Sequence, residues 1–505
     1  MRPLAAIALV AIAVMLGPRD SQTLAADNAC ADAAEAALRP CLLDRIEGLL
    51  GHPEIRVRDP ADASAAWYRL AVLASEAGDV ARVSRIVPRI GDPRKRRSGL
   101  AVLAATQARA GDAHAAVSIL NRLLGDSDAH ARLPAMPDGD IITVLVALRD
   151  PSQTRRYFQI LPVAARPEAL VALTEALVRG GALDEAERLV ADQGDAAPAR
   201  RVQGAWPLVA MLIDAGRHDT ARRLAGLLPQ ADRDRLEAHI ALRIDMDGRT
   251  DEARRILGRL LAVPRPDDHV RLAGAIFAVR RGDWNNVRDR FPATIGDEAL
   301  GELFWMELVD RGRPDLALDL ATGVLRIEDR PAALARLARL IVSHPDHRLR
   351  ARLFDAADQA MDERIKRGAM QAGILRHQPA AIEDLERAHM EAGDLDKARD
   401  IARRVEDALK DGAGHMPRIV SAEIVPRVWQ PVMEAMIENG ERDEVLALAS
   451  DAPLRAEAAR RALARQGLTG DAIELAVRNA PDRLALATYL LDIAGTLPAS
   501  GKETR

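Results

Sequence analysis

The sequence predicts an all-α fold: a superhelical solenoid of antiparallel helix pairs, about 33–34 residues per repeat. Three observations carry this. Gly, Asp and Ala recur at offsets 0, +3 and +5, as Gly181, Asp184 and Ala186, then Gly216, Asp219 and Ala221, then Gly248, Asp251 and Ala253. Gly312, Asp315 and Ala317 repeat the spacing, as do Gly393, Asp396 and Ala398. Gly ends a helix because it lacks the Cβ that makes the left-handed conformation costly. The acid meets the free N–H groups and positive dipole end of the next helix, and Ala lets the two helices approach. Second, a large apolar residue stands eight before most turn glycines (Leu70, Leu173, Leu208, Ile240, Phe304, Leu385) and another eight after (Ile86, Leu224, Ile256, Leu320, Ile401). Gly282 departs, with Gly274 before it and Arg290 after. Third, Gly78, Gly111, Gly181, Gly216, Gly248, Gly282 and Gly312 fit one frame of seven steps across 234 residues, provided a marker near Arg149 fills the gap.

The elements follow in order. Residues 1–25 read as a signal peptide: Arg2, the short apolar run "LAAIALVAIAVMLG", then a small-residue cleavage site after Ala25. That run is shorter than the ~20 residues a membrane-spanning helix needs, so the expected location is periplasmic or secreted. Residues 26–59 form an N-terminal helical cap. It holds both cysteines, Cys30 and Cys41, and an isolated pair in an oxidising compartment suggests one disulfide. A straight helix over 31–39 carries Cys41 beyond bonding distance, so the bond requires the chain to fold back around Pro40. Residues 60–330 hold the regular repeats. Within them "DIITVLVALRD" (140–150) resembles a buried strand by composition, but its phase makes it a first helix. Residues 331–498 are irregular helical repeats, with turns at "SHPDHRLRARLF" (343–354), Gly393, Gly440 and Gly467. "KDGAGHMPRI" (410–419) is an internal loop, and 499–505 a disordered tail.

Composition agrees. The 48% hydrophobic and 29% charged residues are the balance of a folded protein, and a net charge of −4 over 505 residues leaves no nucleic-acid or anionic-membrane footprint.

The turn pattern resembles the tetratricopeptide repeat family, whose G-x-x-x-x-A is matched by Gly181 and Ala186, Gly216 and Ala221, Gly248 and Ala253, Gly312 and Ala317, and Gly393 and Ala398. The family's small residue seven before the Gly is Ala104, Ala241 or Ala275 in places, but Trp305 and Glu386 elsewhere. The resemblance covers roughly residues 60–480. It implies a groove lined by the first helix of each repeat. Carried over position by position, groove residues are Tyr68, Gln203, Trp206, Arg235, His269, Glu302 and Met306, with Glu168, Glu175 and Asp245 at equivalent places.

Reactive chemistry is harder to find. The sequence has no phosphate loop, dinucleotide fingerprint, HExxH or Gly-x-Ser-x-Gly elbow. His344 and His347 have metal-like spacing but lie on an inter-helix turn without a third ligand, so neither a metal nor a cofactor is expected. "DPRKRRSG" (92–99) reads as a helix start, with an anionic docking patch as the alternative. The expected function is a non-catalytic exported scaffold holding a protein or peptide segment in its groove. The alternative is an envelope enzyme on a helical toroid acting on glycan or peptidoglycan, against which the 13 aromatic residues (5 Trp, 3 Tyr, 5 Phe) count.

Overall fold

The computed structural model describes Cys30 and residues 35–52, 55, 60–125, 139–160, 229–296, 298–370, 379–411 and 418–497, together with parts of 170–192 and 208–226. The signal segment, the C-terminal tail, most of the 410–419 loop, and Glu168, Glu175, Gln203 and Trp206 lie outside the described residues. Every element among the described residues is helical.

The repeat rests on one backbone conformation. Among the described residues ten glycines have φ between 68° and 90°: Gly78, Gly111, Gly181, Gly216, Gly248, Gly282, Gly312, Gly393, Gly440 and Gly467. At all of them but Gly111 the chain makes the same pair of bonds. Gly216 N–H donates to Ile213 O at 2.9 Å and Arg217 N–H to Leu212 O at 2.8 Å, the paired bonds of a Schellman ending. Arg149 has φ 52° and is the one non-glycine in this region among the described residues. It sits where the frame lacks a glycine, between the Gly139–Leu148 and Pro151–Ile160 helices. The "DIITVLVALRD" segment is accordingly helical, because tertiary phase outweighs the strand preference of its β-branched run.

Around each turn the offsets take physical form. Ala186, Ala221, Ala253, Ala317 and Ala398 are fully buried, as are Leu70, Leu173, Leu208, Ile240, Phe304 and Leu385. The positions eight after are less uniform, with Leu189, Ile256 and Leu448 only half-buried. The two departures at the Gly282 turn meet one another. A Cβ on Gly274 would lie 3.3 Å from Arg290 Cδ and 2.8 Å from Leu261 Cδ1, so the arginine stem and a leucine from the preceding helix occupy the space a large apolar residue fills elsewhere.

The acids at +3 are not caps. Where Arg follows the turn Gly, at Arg217, Arg249 and Arg313, no side chain caps the helix and the +3 acid sits in its first turn. Capping belongs to Asp directly after Gly. Asp79 accepts from Arg82 N at 2.9 Å, Asp112 from Ala115 N at 3.0 Å and Asp394 from Lys397 N at 3.1 Å.

By contacts the chain forms two units, residues 111–432 and a second made of 1–110 with 433–505. In the second, the Glu35–Leu50 and Pro60–Glu76 helices both pack against Arg483–Thr496. Arg39 donates to Leu497 O at 3.2 Å and Arg69 pairs with Asp492 at 2.5 Å. The N-terminal cap is thus covered by the last helix. Cys30 and Cys41 are disulfide-bonded, their Cα atoms 5.8 Å apart. The expected fold-back at Pro40 does not occur, since Pro40 lies inside the Glu35–Leu50 helix.

Opposite substitutions test the turn. Gly216 (φ 71°) has open space where a Cβ would stand, so Gly216→Val meets backbone strain alone and should lose about 1–3 kcal/mol. Arg149→Gly relieves the same strain at an exposed site and should gain about 0.5–1 kcal/mol. Thermal unfolding of both variants measures the two signs.

Candidate functional site

Within the 111–432 unit the first helices lie side by side: Gln230–Met246 against Asp268–Arg281, that against Glu298–Asp310, then Arg330–Leu340, then Pro379–Glu391. Each first helix is followed by a tight turn and a second helix, which leaves its neighbours in the row to be other first helices. First helices are what the tetratricopeptide resemblance implies as groove-lining elements, and shared arginines join them.

Arg280 reaches back to Asp245 at 3.5 Å and forward to Glu307 at 2.8 Å, so one guanidinium ties three consecutive first helices. Asp245 also takes Arg281 at 2.8 Å and the Thr250 hydroxyl at 3.0 Å. Arg336 repeats the device one step on, between Glu302 at 2.6 Å and Asp384 at 2.9 Å, and Arg339 adds a second bond to Asp384 at 3.3 Å. Burial pulls the Arg336 guanidinium down, but the charges of Asp384 and Glu302 outweigh it and hold it above its ordinary value. Such planar, multidentate pairing suits arginine and not lysine.

Arg235 and His269 are brought together through a residue the sequence analysis did not single out. Asp267 accepts two bonds from Arg235, at 3.1 and 2.8 Å, and one from His269 N–H at 2.9 Å. Burial pushes the Asp267 carboxyl up, yet these donors bring it below the usual range. Glu302 and Met306 stand one turn apart on Glu298–Asp310, both exposed, with Met306 37% accessible. Met246, 58% accessible, ends the Gln230–Met246 helix. Asp245 is committed to its pairs. Tyr68 is half-buried on Pro60–Glu76 and belongs to the other unit.

Arg280, Arg336 and Asp384 escaped the sequence analysis. Arg336 lies in a repeat without a turn glycine, so no offset indexes it. The one available signal was spacing, since many inter-repeat pairs are about one period apart: Arg217–Asp184 by 33 residues, Arg235–Asp267 by 32, His389–Asp358 by 31, Arg222–Glu252 by 30.

The other candidate segments make local hydrogen bonds. In the basic run, Asp92 caps the Pro93–Arg109 helix through Lys95 N–H and Arg96 donates to Ile90 O at 2.7 Å, as a helix start should. His344 Nδ1 accepts from Asp346 N–H at 3.2 Å, and His347 Nδ1 bonds Arg350 at 2.7 Å. Among the described residues no group of three or more His, Cys, Asp or Glu is placed to hold a metal, and no helix is long and apolar enough to cross a membrane.

The position seven before the turn Gly tolerates large residues in different ways. Trp305 joins a cluster with Phe291 and Phe304, centroids 5.4 and 4.9 Å away. Arg460 stacks on Tyr489 at 3.9 Å. Glu386 is fully buried and neither carboxylate oxygen has a hydrogen-bond partner. Burial, then the charge of Glu383, pushes its carboxyl well above the ordinary value of 4.5.

A raised folded-state value means the unfolded chain ionises first, so Glu386 erodes stability as pH rises above 4.5. Glu386→Gln should match the parent near pH 4 and become progressively more stable than it towards pH 7, by about 1–3 kcal/mol. Chemical denaturation across that range measures the widening gap.

No family model matches the chain, and no curated protein matches it. Among solved structures it is similar to the pentatricopeptide repeat protein PPR10 from maize, at 14% identity over 94% of this chain and 87% of that one, TM-score 0.27. It is similar to Ton1535 from Thermococcus onnurineus NA1, at 14% identity over 64% and 98%, TM-score 0.20. A third is a circular tandem repeat protein with novel repeat topology, at 16% identity over 92% and 97%, TM-score 0.14. All three TM-scores fall below 0.5, so the architecture rests on the chain's own turns and helix pairs. Those make it a helical-repeat protein built from two-helix units.

Proposed function

We propose that this protein is a non-catalytic, exported scaffold whose first-helix face holds a segment of a protein or peptide. The observation that carries this is the arginine ladder. Arg280 and Arg336 each tie three consecutive first helices, which orders the face before any partner arrives. A pre-ordered face has less entropy to lose on binding. It presents Met246, Glu302 and Met306 outward, a mixture of apolar and acidic contacts suited to an amphipathic segment with basic residues. The Cys30–Cys41 bond is the kind that persists in oxidising compartments, which supports export together with the N-terminal apolar run.

A photo-crosslinking residue at Met306 should capture a partner in the native host, and the same residue at exposed Arg254 on a second helix should not. Met306→Asp should weaken capture about tenfold or more without lowering the melting temperature. Equal capture at both positions would refute the face assignment. Release of product from peptidoglycan or glycosides by the purified protein would refute the non-catalytic role.

A further inference from the structure

Both cysteines of the chain are joined in the Cys30–Cys41 bond, which leaves no free thiol. With no thiolate to intercept a peroxide, the thioethers of methionine are the remaining readily oxidised sulfur. Among the described residues these thioethers divide by exposure. Met361, Met433 and Met436 are fully buried, and Met390 is half-buried. Met246 is 58% accessible, Met211 39% and Met306 37%.

The exposed three share a place in the repeat. Met211 stands five before Gly216, Met246 two before Gly248 and Met306 six before Gly312. Offsets six and two differ by four, and offsets five and two by three, separations that put residues on one side of a helix. The three thioethers therefore project from equivalent sides of the helices that enter three different turns. Met436 shows what another side does. It stands four before Gly440, two residues and so about 200° round from offsets six and two, and it is fully buried.

We propose that Met211, Met246 and Met306 are sulfoxidation sites through which a peroxide switches off the first-helix face, an inference that rests on the binding role proposed above. The thioether sulfur attacks one oxygen of hydrogen peroxide, and an S–O bond forms as the O–O bond breaks. Sulfur gives up two electrons, and the departing hydroxide takes the proton of the transferred oxygen and leaves as water. The product is polar where the thioether was apolar, so an apolar side chain of the partner loses its contact. Methionine-sulfoxide reductase reverses the change. Because the three side chains stand outside the core, the fold is untouched while the face alters.

Peroxide treatment of the purified full chain, read by peptide mass spectrometry, tests the chemistry without any partner. Met211, Met246 and Met306 should oxidise about tenfold or more faster than Met361, Met433 and Met436, with melting unchanged. Binding is read with a photo-crosslinking residue at exposed Ala299, seven before Met306 on the same helix. Peroxide treatment should lower capture from an extract of the native host about fivefold or more, and methionine-sulfoxide reductase should restore it. Equal oxidation of exposed and buried methionines overturns the proposal, as does capture that survives full oxidation of the three sites or a loss that the reductase leaves in place. Absence of capture before any peroxide is added refutes the binding face itself, and the proposal with it.

Discussion

Most turns between paired helices depend on a single torsion, the positive φ that ends the first helix. With φ near 70° the chain reverses within a few residues, the next two N–H groups close on carbonyls of the finished helix, and the second helix starts antiparallel to the first. Everything else at the turn is conditional on that reversal. Ala at +5 is fully buried because the two helices are already close. The large apolar residues eight before the turn are buried because the same geometry aims them at the partner helix. At nine of the ten turn glycines nothing lies within 4 Å of where a Cβ would stand. Glycine therefore supplies a sign of φ there, and not a lack of bulk. Arg149 accepts the same torsion without being glycine, which shows that the frame dictates the conformation and the residue adapts.

Stacking of one pair on the next is a second layer, built from side chains about one period apart. Arginine dominates it because a planar fork can serve two acids on two helices at once, as Arg280 and Arg336 do. Most of these pairs are half-exposed, so each adds only a few tenths of a kcal/mol to about 1 kcal/mol. Their effect is on register: an acid and an arginine one repeat apart specify which turn of one helix faces which turn of the next. In the unit formed by the two chain ends the same chemistry joins residues far apart in sequence, Arg39 to Leu497 and Arg69 to Asp492.

The fold was legible in the sequence because its determinants are local. An offset of eight residues either side of a glycine is readable without knowing what lies across the helix. The strand-like 140–150 segment shows the strength of the frame, since phase alone identified it as a helix. What escaped was non-local or conditional. Asp267 joins Arg235 to His269 only once the helices are stacked. Arg336 and Asp384 are 48 residues apart, across a stretch whose turn lacks a glycine. Pro40 argues for a bend by its own chemistry, yet the helix runs through it. Glu386 stood out as a departure from a small-residue position, but only the packed structure reveals a carboxyl sealed without a partner.

The turn glycines are there for the sign of φ, and chirality tests this directly. Gly467, at φ 76°, lies close enough to the C-terminus for semisynthesis by ligation near residue 452. An L-residue resists this conformation and its mirror image favours it. With Gly467 replaced by alanine of either hand, unfolding free energies should rank the D-alanine protein above the parent and the L-alanine protein below it. About 1–2 kcal/mol should separate the two alanine forms. Equal losses from both would contradict the account, because they would show that glycine is needed there for its size.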